Sequence, residues 1–195
     1  MNLPNKLTIS RIILSPVFMV LFLLENKTTR ILSLIVFTIA ALTDLYDGYL
    51  ARKYNVTTNF GKFMDPLADK ILTSTAFISF VSLGYAKAWM VLTIIGREFL
   101  ITGLRSAAAY KGYVILPSFL AKVKTTVQMT VIVFMLIVIN GHTILGNSAS
   151  NISLFNISQM QIHFDWMIFI TMLITVWTGM DYIIKSLPLI KSLLK

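Results

Sequence analysis

Apolar residues run along the chain in six long stretches, roughly 7–24, 30–52, 62–84, 86–110, 118–140 and 163–187, with short polar segments between them. An α-helix needs about 20 such residues, at about 1.5 Å rise each, to cross the hydrocarbon of a bilayer. The pattern therefore predicts an all-α integral membrane protein, one domain over residues 1–195 with six transmembrane helices. The first stretch follows Lys6 and Arg11 and resembles a secretory leader in outline. Leu23, Leu24, Glu25 and Asn26 stand where small cleavage-site residues would be needed, so it reads as a retained helix. Segment 141–162 is the most loop-like part. Its Asn151-Ile-Ser153 and Asn156-Ile-Ser158 match glycosylation sequons, a short motif that also arises by chance.

Composition narrows the class. Hydrophobic residues make up 56% of the 195 positions and charged residues 13%, about half the roughly 25% of a soluble domain. A small globule could not bury so much apolar surface, which excludes a conventional soluble enzyme, and the same composition excludes a disordered chain or a fibrous repeat. Cysteine is absent, which removes disulfides, thiol catalysis and cysteine metal sites. No internal repeat is evident, against an inverted-repeat transporter.

The net charge of +9 is distributed by side rather than gathered in one stripe, so no nucleic-acid partner is expected. Eleven basic residues fall at the amino end and in the 52–62, 111–124 and carboxy-terminal segments; Lys27, Arg30 and Lys87 are the three on the opposite side. This bias places both termini in the cytoplasm, which suits an even number of spans. No transit peptide precedes the first span, and a bacterial plasma membrane is the expected location.

Ionisable groups inside spans are costly and mark function or mutual pairing. Residues 41–70, ALTDLYDGYLARKYNVTTNFGKFMDPLADK, hold four of the eight acids. Asp44 and Asp47 are three apart, Asp65 and Asp69 four apart, so each pair lies on one helix face, one turn apart. Both pairs fall near the cytoplasmic ends of adjacent antiparallel helices, with Pro66 expected in the first turn or so of the third. Four such carboxylates cannot all stay ionised unaided. Two divalent cations would balance them, and oxygen-only ligands favour Mg²⁺ or Mn²⁺ over zinc. Gly48, Ala51 and Gly61 keep the carboxylate faces small, and Arg52 offers bidentate phosphate geometry at the rim. Proton relays and close helix packing are the plainer readings of acid pairs and of small residues. A divalent-cation or proton transporter is the rival from another class. It would spread its acids through the membrane depth, whereas these four lie near one face.

The run Asp44-x2-Asp47-Gly48-x2-Ala51-Arg52-x8-Gly61-x3-Asp65-x3-Asp69 resembles the signature of the CDP-alcohol phosphatidyltransferase family, with every element at the family's spacing. The resemblance implies a six-helix membrane enzyme, usually a homodimer, that moves a phosphatidyl group from CDP-diacylglycerol to an alcohol and releases CMP. It further implies that Asp44, Asp47 and Asp65 hold two divalent ions, that Asp69 is both ligand and general base, and that Gly48, Ala51, Arg52 and Gly61 contact CDP.

Three more stretches are similar to the branch of that family whose acceptor is sn-glycerol 3-phosphate: Asn2-x-Pro4-Asn5-x-Leu7-Thr8-x2-Arg11, then Arg97-Glu98 with Leu104-Arg105, then Lys122-Val123-Lys124-Thr125-Thr126-x-Gln128-Met129. The resemblance extends to about residue 130. A dianionic acceptor needs several cations near the acids, and Thr8, Arg11, Lys62, Arg105, Lys122 and Lys124 are the candidates. Lysine and arginine at helix ends also simply snorkel to the interface. Inositol phosphate or phosphatidylglycerol are the alternative acceptors. Arg97 and Glu98 are adjacent and cannot face each other, so each is expected to pair with another helix in a structural role. His142, His163, Asp165 and Asp181 are expected to be bystanders, and Trp89, Tyr110, Trp166 and Tyr182 interfacial anchors.

Overall fold

The computed structural model describes residues 3–54, 59–110, 119–146 and 157–193, and among these leaves out the side chains of 3–5, 44–54, 59–63, 110, 158 and 186–193. All regular structure in it is helical: α1 (Leu3–Leu23), α2 (Lys27–Tyr54), α3 (Asn59–Ser82), α4 (Ala88–Tyr110), α5 (Phe119–Leu145) and α6 (Ile157–Leu193). By length and composition, Lys6–Leu23, Phe119–Leu145 and Gln159–Lys185 are apolar enough to cross a membrane. The middle helices α2 to α4 hold most of the intrahelical charge, which lowers their hydropathy without shortening them.

Helix α1 packs against α2 and α3, and α6 against α4 and α5; α3–α4 and α2–α5 contacts join the two halves. Phenylalanines fill the first half. Phe18 lies 5.6 Å from Phe22 and 5.2 Å from Phe37 between ring centroids, and Phe22 lies 5.9 Å from Phe80. These rings are fully or almost fully buried, as are Ile132, Met135 and Ile139 of α5 and Phe164 and Ile168 of α6. Their spacing of three and four residues is the helical stripe that faces a core.

The connections at the end away from the acid cluster are built from local chemistry. Asn26 caps α2, its Oδ1 accepting the Thr28 N–H at 3.3 Å. Helix α3 ends in a Schellman turn: the Gly84 N–H donates to the Val81 carbonyl (3.0 Å) and the Tyr85 N–H to the Phe80 carbonyl (2.8 Å). Gly84 supplies the left-handed residue, with φ of 78°.

Three boundaries differ from the sequence reading. Segment 141–162 is helical at both its ends, since α5 runs to Leu145 and α6 starts at Ile157; polar Asn, Gln and His residues disguise these turns. Helix α3 starts at Asn59, so Pro66 sits about two turns in rather than in the first. There it denies the Lys62 carbonyl its helical donor, a loss water can make good near a helix end. Helix α2 starts at Lys27 rather than at residue 30, which sets Arg30 inside it, 1% exposed, with its guanidinium carbon 4.3 Å from the Phe22 ring centroid.

Gly84→Ala meets no atom within 4 Å, so its cost is backbone strain alone, about 1–2 kcal/mol. A melting temperature in detergent is expected to fall for Gly84→Ala and to fall less for Gly84→Asn, which tolerates the left-handed region. Equal values for alanine and glycine would show that the turn does not limit stability.

Candidate active site

Among the described residues, charged side chains of α3, α4 and α5 cluster together. Asp65 and Asp69 lie one turn apart on α3. Thr8 of α1 donates its hydroxyl to Asp65 Oδ1 at 2.5 Å, pinning that carboxylate from the neighbouring helix. Asp69, whose side chain is 39% exposed, accepts Lys70 Nζ on Oδ2 at 2.9 Å, which leaves Oδ1 for another partner. Asp44 and Asp47 belong to the last three turns of α2, but their side chains, with those of Gly48, Ala51, Arg52, Gly61 and Lys62, lie outside the described residues. Among the described residues no three acids or histidines gather as a metal site.

Lys70, the partner of Asp69, lines a cavity of about 150 Å³ between α3, α4 and α5. Its charged lining is Lys70, Arg97, Glu98, Arg105, Lys122 and Lys124: five cations and one carboxylate. Helix geometry explains the convergence. Arg97, Ile101 and Arg105 repeat every four residues along one face of α4, while Lys122 and Lys124 occupy the first two turns of α5. Glu98 is 4% exposed and Lys124 2%. Glu98 Oε2 pairs with Lys70 Nζ at 2.8 Å, and its Oε1 pairs with Lys124 Nζ. Arg97 Nη1 stands 4.0 Å from the same Oε1, and Arg97 Nη2 donates to Thr178 Oγ1 on α6 at 3.0 Å.

Of the acceptor candidates, Arg105, Lys122 and Lys124 line this cavity together. Thr8 is engaged with Asp65 instead, and Arg11 is fully buried on α1. The expectation that Arg97 and Glu98 reach other helices agrees with the geometry, but both also line the cavity. The sequence reading gives Arg97 and Glu98 a structural role and gives Lys70 none, although the signal of all three is present: each is a charge within an otherwise apolar stretch. Asp165 pairs with Lys87 at 3.1 Å and Asp181 with Lys185 at 2.9 Å, at the helix ends. His142 is some seventeen residues beyond Thr125 along α5, about 25 Å at the helical rise.

A family model described as CDP-alcohol phosphatidyltransferase matches residues 1–177. Curated relatives carry the name CDP-diacylglycerol–glycerol-3-phosphate 3-phosphatidyltransferase. The protein from Bacillus subtilis is 47% identical over 140 residues, 66% of this chain and 72% of its own. That from Rickettsia typhi is 39% identical over 181 residues, covering 93% of this chain and 94% of its own. The Salmonella typhimurium protein is 41% identical over 140 residues, 69% and 76% of the two chains.

Gly179 of α6 makes the notch into which Arg97 fits: a Cβ there would stand 3.0 Å from Arg97 Cγ and Nε. Gly179→Ala is expected to push Arg97 off Thr178 and to lower the melting temperature in detergent by a few degrees, about 1 kcal/mol. Thr178→Val removes only the hydrogen bond and should cost less. A Gly179→Ala protein as stable as wild type would mean that Arg97 leaves the notch freely.

Proposed function

The chain belongs to the CDP-alcohol phosphatidyltransferase family, and from that premise we propose that it transfers the phosphatidyl group of CDP-diacylglycerol to sn-glycerol 3-phosphate, giving phosphatidylglycerophosphate and CMP. The observation that carries the choice of acceptor is the cavity lined by five cations, one of which, Lys70, pairs with Asp69. The relatives' printed names point to the same acceptor. Inositol, with no charge, and zwitterionic serine, with no net charge, would leave most of this charge uncompensated, whereas a dianionic phosphate neutralises much of it.

Asp44, Asp47, Asp65 and Asp69 would hold two divalent ions, Mg²⁺ or Mn²⁺. The donor set fits such hard cations: the acids supply only oxygen, and Thr8 fixes Asp65 while leaving Asp65 Oδ2 outside that bond. When bound, the ions neutralise diphosphate charge in the substrate and leaving group. The chain's own residues supply positioning. Arg105, Lys122 and Lys124 grip the acceptor phosphate at the end of the molecule that holds Asp69. Asp69 then accepts the proton of the acceptor's primary hydroxyl on Oδ1, the oxygen that Lys70 does not engage. The hydroxyl oxygen forms its bond to the lipid-side phosphorus as the bond to CMP breaks, and CMP departs with that electron pair. Gly48, Ala51, Arg52 and Gly61 are assigned to the CDP moiety. Holding both reactants in register accounts for a large part of such a rate enhancement.

Purified protein in detergent, given CDP-diacylglycerol and Mg²⁺ or Mn²⁺, should release CMP with glycerol 3-phosphate. It should not do so with inositol, inositol 3-phosphate, serine or phosphatidylglycerol. Chelation of the metal and Asp69→Asn should each abolish release. Near-normal turnover in Asp69→Asn would remove the base assignment, and release with a different acceptor would remove the role of the cationic cavity.

The proposal includes six spans, cytoplasmic termini, a cytoplasm-facing site in a bacterial plasma membrane, and a homodimer. Because the chain has no cysteine, single cysteines report topology directly. Lys6→Cys should react with an impermeant thiol reagent only after the cells are opened, and Glu25→Cys in intact cells. The reverse pattern would invert the orientation.

A further inference from the structure

A carboxylate inside an anion-binding cavity repels its ligand, so the presence of Glu98 among five cations needs a reason. Its surroundings are unequal. One buried carboxylate serves two lysines directly and a guanidinium at 4.0 Å. A cluster built only to hold helices together gains most when charges match one to one, since uncompensated buried cations are costly. Here positive charge is left over, and it faces the cavity.

The donor count shows how. An ammonium has three N–H donors. Lys70 spends one on Asp69 Oδ2 at 2.9 Å and one on Glu98 Oε2 at 2.8 Å. Lys124 meets Glu98 through Oε1. Among the described residues these contacts leave Lys70 one donor and Lys124 two, on ammonium groups whose positions Glu98 fixes. Unrestrained lysine side chains are long and rotamer-rich, and ordering them at the moment of binding opposes binding. The chain of contacts Asp69–Lys70–Glu98–Lys124 also crosses from α3 over α4 to α5, joining the cavity to the candidate base.

We propose that Glu98 is a positioning residue for the acceptor phosphate: it holds Lys70 and Lys124 with their remaining donors turned to the cavity, in register with Asp69. This rests on the reading that the cavity takes the phosphate of glycerol 3-phosphate. Glu98 touches neither substrate; it acts through the two lysines.

The sign of one kinetic effect separates this role from the others available to a buried acid. Glu98→Gln keeps the shape and removes the charge. If Glu98 only lowered the cavity's positive potential, its loss would strengthen phosphate binding and lower the acceptor KM. If it only tied helices together, melting temperature would fall while both KM values stayed put. Positioning predicts a rise in the KM for glycerol 3-phosphate of about tenfold, with the KM for CDP-diacylglycerol within about twofold of wild type. Inorganic phosphate, tested as an inhibitor competing with the acceptor, should weaken in parallel. Glu98→Asp keeps the charge but is one methylene shorter and cannot reach both lysines equally. It should give an intermediate acceptor KM, and it serves as the test if the glutamine variant does not fold. An active wild type whose acceptor KM is unchanged or lower in the folded variant overturns this inference alone. A wild type without CMP release on glycerol 3-phosphate overturns the functional reading and this inference with it.

Discussion

Ionised side chains cannot be left unpaired in a low-dielectric interior, and this constraint organises the whole molecule. A chain with 56% hydrophobic residues nonetheless carries 17 basic and 8 acidic ones. Those at helix ends need little explanation, because Lys87–Asp165 and Lys185–Asp181 pair within reach of solvent. The informative ones are buried. Glu98, Lys124 and Arg11 are each less than 5% exposed, and a lone charge in such a place would be strongly destabilising. The first two therefore lie in a single cluster that also includes Lys70 and borders Arg97. The helices that contribute to it, α3, α4 and α5, must bring their same ends together.

The opposite end meets the constraint differently. Arg30 is buried to 1% exposure, and its charge rests on the face of Phe22, with no carboxylate among the described residues within ion-pair distance. A ring quadrupole stabilises a guanidinium by about 2 kcal/mol when desolvated, less than a good ion pair but without adding a second charge. The same Phe22 continues into the Phe18–Phe37–Phe80 cluster. One part of the bundle is thus filled with aromatic packing, while among the described residues the cavity between α3, α4 and α5 is polar and lined by five cations.

How legible this was in the sequence depends on whether the information is local. Six helices follow from hydrophobic length, and acid pairs three and four apart follow from helical period; the α1–α6 boundaries agree to within four residues except at the end of α5 and at both ends of α6. Capping at Asn26 and the Gly84 turn are likewise local chemistry. What could not be read is which helix lies beside which. Thr8 was a candidate for its hydroxyl in the amino-terminal stretch, and its contact with Asp65, fifty-seven residues away, has no local signature. Glu98 and Arg97 looked structural because their partners, on α3, α5 and α6, have no fixed spacing from α4. Gly179 carried no motif. Its meaning is the room it gives Arg97, which exists only once α4 and α6 are packed.

The two halves of the bundle also divide the proposed chemistry. Helices α2 and α3 carry the acids assigned to the metal ions and the residues assigned to CDP, while α4 and α5 carry most of the cations assigned to the acceptor, braced from behind by Thr178 and Gly179 of α6. One substrate is a lipid and the other is water-soluble, so each half can recognise its own ligand with its own helices. Reaction then requires the halves to be held in register to a fraction of an ångström. Packing between α3 and α4 does this in general, and Lys70 does it at the point that matters: it stands on α3 beside Asp69 and pairs across to Glu98 on α4. A shift of α4 that broke this link would leave Glu98 with a weaker set of partners in a buried site, a change opposed by several kcal/mol. The charge cluster thus acts as a stop on the relative position of the two halves, and the electrostatics that make the interior tolerable also align the two parts of the site.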